Sequence, residues 1–118
     1  MAKILLVDDS KFSRYMLAKI LISGAHEVIE AVNGEDGLAK AQTDTPDLII
    51  TDLLMPGLDG IGLVNRLKEC GIGTPVVVVT ANIQDTMHQR CMELGVKGFV
   101  NKPVKPDELL TLINQLQA

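Results

Sequence analysis

Five short apolar runs punctuate the chain: Lys3–Val7 (KILLV), Val28–Val32 (VIEAV), Leu48–Thr51 (LIIT), Val76–Val79 (VVVV) and Gly98–Val100 (GFV). Several are apolar on both faces, the pattern of strands buried within a parallel sheet. Between them the apolar residues recur at three- and four-residue intervals, the period of a helix. The first helix is expected after Ser10, whose hydroxyl can cap it, with Phe12, Tyr15, Met16 and Ile20 along one side. The second should begin near Asn33, where Asn33 and Asp36 form an imperfect capping box. A third spans about 59–70, and a fourth runs from Asn82 to Leu94 and stops at Gly95. The fifth follows Pro106, with Leu109, Ile113 and Leu116 turned inward.

Strands alternating with helices in this way predict an α/β fold, a parallel sheet covered on both faces. In such sheets the loops leaving the carboxyl ends of the strands build the ligand site, where the strand order reverses. Here those loops carry Asp8, Asp9 and Ser10 after the first strand, Asp52 after the third, Thr80 after the fourth and Lys102 after the fifth. The second strand offers only Asn33 and Gly34, as expected of a strand towards an edge.

Three carboxylates brought together repel one another, so the site must raise a pKa or recruit a cation. Oxygen ligands suit a hard divalent ion, and Mg²⁺ typically takes one or two carboxylates, several waters and a phosphate oxygen. Lys102 and Thr80 would then offer an ammonium and a hydroxyl to the remaining phosphoryl oxygens. A carboxylate can itself be a nucleophile towards phosphorus once its surroundings neutralise the incoming charge. Asp52, in the middle of the predicted sheet, is the best candidate, while Asp8 and Asp9 share the work of holding the ion. Singly, each residue has an ordinary explanation: a helix cap, a strand end, a solvated lysine before a proline turn. Jointly, at the ends of four strands, they form a constellation.

Composition narrows the field. The 118 residues are expected to form one domain, 1–118, and 47% hydrophobic with 22% charged residues excludes a disordered or fibrous chain. Aromatics are only 3%, so the core must be aliphatic. Eleven Lys and Arg against 15 Asp and Glu leave a net charge of -4 without a basic stripe, so no direct nucleic-acid contact is expected. No apolar stretch reaches the ~20 residues of a membrane span, and the N-terminus lacks the features of a secretion signal, which predicts a cytoplasmic protein without membrane insertion. Cys70 and Cys91 stand in no metal or redox spacing and read as reduced thiols. Cys91, in line with Ile83, Met87 and Leu94, is a candidate core residue.

The stretches ILLVDDS at 4–10, DLIITDLLMPGLDG at 47–60, PVVVVTA at 75–81 and GFVNKPV at 98–104 together resemble the receiver domains of two-component response regulators, over essentially the whole chain. The resemblance implies a flavodoxin-like fold, a five-stranded parallel sheet in the order 2-1-3-4-5 flanked by five helices. It makes Asp52 the phosphoacceptor and gives Mg²⁺ the ligands Asp9, Asp52 and the Leu54 backbone carbonyl, with Asp8 acting through a water. Thr80 and Lys102 would hold and sense the phosphoryl group, and Phe99 would be the aromatic switch, limited to packing because it lacks a hydroxyl. Leu54 and Asn82 would tune dephosphorylation, and the Lys102–Pro103 peptide would be cis.

The phosphodonor implied is a histidine kinase or phosphotransfer protein. Neither His26 nor His88, both expected far from the acids, would be the donor. The target would bind a face of helix 4, strand 5 and helix 5, near Gln84, His88, Lys97 and Lys105. A stand-alone regulator is expected, since no output domain fits after the last helix; it would be a phosphoacceptor signalling protein rather than an enzyme. A chemotaxis regulator, a phosphorelay intermediate and an inactive pseudo-receiver adaptor are the variants of this reading. A phosphatase with an aspartyl nucleophile would need an acid at position 54, and a flavodoxin would need a phosphate loop where Asp8 and Asp9 stand.

Overall fold

The chain's computed structural model describes residues 1–81 and 85–117. Strands and helices alternate as β1 (Lys3–Val7), α1 (Lys11–Ser23), β2 (Glu27–Ala31), α2 (Gly34–Asp44), β3 (Leu48–Thr51), α3 (Gly60–Glu69), β4 (Val76–Thr80), α4 (Asp85–Glu93), β5 (Gly98–Asn101) and α5 (Pro106–Gln117). The expected start of the fourth helix at Asn82, with Ile83 in its apolar line, lies outside the described residues.

All strands are parallel, in the order β2-β1-β3-β4-β5. The chain lays β2 on one side of β1 and β3 on the other, so the order reverses at β1 and β3. Register then matters for the site. Val7 lies opposite Thr51, so the residues that follow, Asp8 and Asp52, leave the sheet side by side. The same register law sorts the strands' side chains, because neighbours along a strand point to opposite faces. Leu5, Val7, Ile49, Val76 and Val78 enter one core with Ala41, Val64, Leu67 and Cys91 from α2, α3 and α4. Ile4, Leu6, Leu48, Ile50, Val77 and Val79 enter the other with Leu17, Leu21, Leu109 and Ile113 from α1 and α5. Each such fully buried aliphatic side chain contributes roughly 1.5–3 kcal/mol, which explains how a core almost without aromatics suffices.

Side chains begin the helices where expected. Ser10 Oγ accepts from Ser13 N at 3.2 Å, Asn33 Oδ1 from Asp36 N at 2.7 Å and Asp59 Oδ1 from Gly62 N at 2.8 Å. Asp36 Oδ2 in turn accepts from Val32 N at 3.1 Å. That bond draws Val32 out of the ladder and leaves it exposed, so β2 ends at Ala31 rather than at Val32. At the other edge β4 and β5 each run one residue further than their apolar runs, because Thr80 pairs with Asn101.

Of the residues expected along one side of α1, Phe12, Tyr15 and Met16 face outward, with Phe12 75% exposed, whereas Ile20 packs against the second core beside the buried Leu17, Ala18 and Leu21. The helix is apolar nearly all round, so two stripes of the right period compete, and the one nearer its carboxyl end packs on the sheet.

Candidate functional site

The apolar strands deliver their polar successors to one edge. Asp8 is 1% exposed and completely held: its N–H donates to Ala31 O at 3.2 Å, Oδ1 accepts from Ser10 N at 2.9 Å, and Oδ2 accepts from Lys102 Nζ at 3.0 Å. Asp9, next along, is exposed. Asp52 hangs from the sheet by its own N–H, which donates to Val7 O at 3.1 Å. Its Oδ1 accepts from Leu53 N at 2.7 Å and Leu54 N at 3.4 Å, while Oδ2 accepts from Lys102 Nζ at 2.9 Å.

A single ammonium therefore bridges two carboxylates that are nearly out of water. Burial acts against the charge of Lys102, but hydrogen bonds and attraction from Asp52 and Asp8 outweigh it and hold the lysine's pKa above its ordinary value. Lys102 reaches this position from the end of β5, where its N–H donates to Thr80 O at 2.9 Å and its peptide bond to Pro103 is cis, as expected. Thr80 is 1% exposed at the end of β4.

The turn after Asp52 alternates inward and outward. Leu53 and Met55 are 1% and 8% exposed, whereas the Leu54 side chain between them is 62% exposed. Two glycines let helices close on this turn. A Cβ at Gly60 would collide with the main-chain carbonyl of Asp52, and one at Gly34 with that of Leu58. Glu35 completes the support, its Oε1 accepting from Leu58 N at 2.9 Å.

The donors available to an ion are all oxygen: Asp8, Asp9, Asp52 and the Leu54 carbonyl. Such a set suits Mg²⁺ and disfavours softer metals. Among the described residues no three carboxylate, imidazole or thiol groups converge as a ready-made cluster. An ion that takes one or two carboxylates and fills the rest of its shell with water needs none, so the residues fit it.

Phe99 is half-buried on β5 against the first core, and its ring stacks on exposed His88 with centroids 4.5 Å apart and planes at 27°. His26 belongs to the opposite end of the sheet, where its Nδ1 accepts from Ala2 N at 3.0 Å. Asn82 and Gln84, expected to tune dephosphorylation and to contact a target, lie outside the described residues. Sequence reasoning passed over Arg14. Its side chain, 12% exposed, donates from Nη1 to Asp8 O at 2.7 Å and from Nε to Glu30 Oε1 at 3.2 Å. Its i+4 spacing from Ser10, one turn into α1, was the available signal.

A family model described as response regulator receiver domain matches residues 4–114. The chain belongs to that family. The receiver is 37% identical over 120 residues to Protein PilH of Pseudomonas aeruginosa, a match covering 100% of this chain and 99% of that protein. It is 34% identical over 114 residues to the chemotaxis protein CheY of Bacillus subtilis, covering 96% and 95%. Among solved structures, chemotaxis protein CheY4 of Vibrio cholerae superposes with a TM-score of 0.91 at 33% identity over 98% of both chains. The receiver is thus CheY-like, a two-component signalling protein with the strand order its motifs implied. Among its described residues no helix is long and apolar enough to cross a membrane.

Proposed function

We propose that residues 1–118 act as one receiver that accepts a phosphoryl group on Asp52 and signals by binding a target in the phosphorylated form. The observation that carries this reading is Lys102 shared between Asp8 and Asp52. A half-buried ammonium held by two carboxylates is poised to neutralise an anion arriving between them. In the proposed step an Asp52 carboxylate oxygen attacks the phosphorus of a donor phosphohistidine. The N–P bond breaks, an acyl phosphate forms, and the imidazole keeps the electron pair. Lys102 and the Thr80 hydroxyl then donate to the phosphoryl oxygens. Mg²⁺, for which Asp9, Asp52, the Leu54 carbonyl and, through water, Asp8 would be the ligands, supplies further charge neutralisation.

The donor is a histidine kinase or phosphotransfer protein. Its seat is supported by an apolar groove of about 490 Å³ that begins at Lys102 and is lined by Phe12, Met16, Ile20, Pro103 and Val104. The outward apolar side of α1 thus shares a groove with Lys102, the partner of Asp52. The target face comprises α4, β5 and α5, with His88, Lys97 and Lys105 exposed on or beside it. Movement of Thr80 towards the phosphoryl group would draw Phe99 inward, off His88 and away from its present stacking, shifting a population between two arrangements of that face. Action as a single domain, in the proposal a cytoplasmic one, is supported as to its extent by PilH and the Bacillus CheY, which the chain matches over nearly their whole length.

Incubation with Mg²⁺ and acetyl phosphate, followed by intact mass, tests the acceptor. Wild type should gain one phosphoryl group and Asp52→Asn none; a wild type that gains nothing overturns the reading.

A further inference from the structure

The loop that carries Asp8 and Asp9 has an anchor outside the acidic cluster. Arg14 grips the Asp8 carbonyl at 2.7 Å, the shortest bond made by that residue, and does so from a side chain only 12% exposed. The guanidinium is aimed by Glu30, whose carboxylate meets Nε at 3.2 Å from β2. Lys40 of α2 fixes the main chain there by donating to Glu30 O at 2.6 Å. A planar fork contacting a carbonyl and a carboxylate at once holds its position better than a point charge would. Edge strand β2, which lends no side chain to the site directly, is thereby linked to it through two residues.

We infer that Arg14 is a positioning residue for the divalent ion, holding the β1–α1 loop so that Asp9 and Asp8 are presented in the geometry Mg²⁺ requires, with Glu30 orienting Arg14. The inference rests on the proposed Mg²⁺ chemistry at Asp52. Asp9 is exposed and, among the described residues, has only the loop's main chain to place it, whereas Asp8 is held by Ser10 and Lys102. Partners that orient metal ligands without touching the metal commonly matter to affinity as much as some ligands do.

The test is titration of Mg²⁺ into the unphosphorylated full chain, followed by amide chemical shifts around Asp9 and Asp52, alongside thermal melting. Arg14→Gln should raise the Mg²⁺ Kd roughly tenfold. Simple electrostatics predicts the opposite, since removing a cation near the site favours a second cation. Glu30→Asp, which keeps the charge but shortens the reach to Nε, should weaken binding in the same direction and by less. Acetyl phosphate labelling of Arg14→Gln should need more Mg²⁺ but reach a wild-type rate at saturation. Unchanged or tighter Mg²⁺ binding in Arg14→Gln, or in Glu30→Asp should the first variant not fold, overturns the assignment, as does a lowered melting temperature with an unaltered Kd. A wild type that binds no Mg²⁺ and takes no phosphoryl group overturns the underlying reading instead.

Discussion

The two ends of the sheet both bury polar groups, and they satisfy them in different ways. At the amino ends of the strands a buried side chain bonds to main chain: His26 accepts from Ala2 N at 3.0 Å. Folding fixes both partners, and nothing about the bond has to change later. At the carboxyl ends, Asp8 and Asp52 share one long side chain, Lys102. Such a bridge satisfies the resting protein yet can be re-partnered when a phosphoryl group or cation arrives. The difference separates polar burial that serves the fold from polar burial that serves the chemistry.

Lys102→Met should strike hardest. It leaves two carboxylates facing each other with little water, an arrangement that costs roughly 3 kcal/mol, and it should slow labelling by acetyl phosphate about a hundredfold. Mg²⁺ should restore much of the lost melting temperature by taking over the neutralising role. No recovery with Mg²⁺ would mean the two carboxylates are not the variant's problem. Gly60→Ala comes next, because its methyl group drives into the Asp52 carbonyl. A loss of about 2 kcal/mol in denaturant unfolding is expected, without rescue by Mg²⁺.

His26→Gln probes the quieter end. Burial first, and then the N-terminal ammonium, lower the pKa of His26 below its ordinary 6.5. The unfolded chain therefore binds this proton more readily than the folded one. The stabilising contribution is complete above pH 6.5 and fades as the pH falls from there towards the folded pKa. Melting temperatures measured between pH 5 and 8 should show a shallower acid-side decline in His26→Gln, with about 1 kcal/mol lost at neutral pH, and Mg²⁺ should leave that loss untouched. Leu54→Asn should have the smallest effect on folding, within about 0.5 kcal/mol for an exposed side chain. Its effect belongs to the lifetime of the phosphorylated form: Leu54 offers attacking water no polar group, so the native protein should lose phosphate more slowly than the Leu54→Asn, Asn82→Glu double variant. Equal or faster loss would remove Leu54 from that role.

The alternation of strands and helices could be read from the apolar runs, whereas the strand order β2-β1-β3-β4-β5 was implied only by the family resemblance, because alternation does not say on which side of β1 the chain turns. The acidic edge was readable from the runs as well: a carboxylate directly after such a run must emerge at the sheet's end. What escaped was whatever depended on one helix face against another. In α1 the stripe through Phe12, Tyr15 and Met16 and the stripe through Leu17, Ala18 and Leu21 are equally periodic, and only packing on β1 and β2 chooses between them. The reach of Arg14 to Glu30 and the contact of Gly34 with Leu58 are tertiary approaches that no spacing along the chain encodes.

The turn after Asp52 buries Leu53 and Met55 and between them turns the side chain of Leu54 to solvent. Position 54 can therefore be exchanged without repacking either core, while its carbonyl, common to every amino acid, stays where it is. If that side chain governs how long the phosphoryl group persists, descendants of this chain could change the duration of their memory by a single substitution and inherit the fold intact.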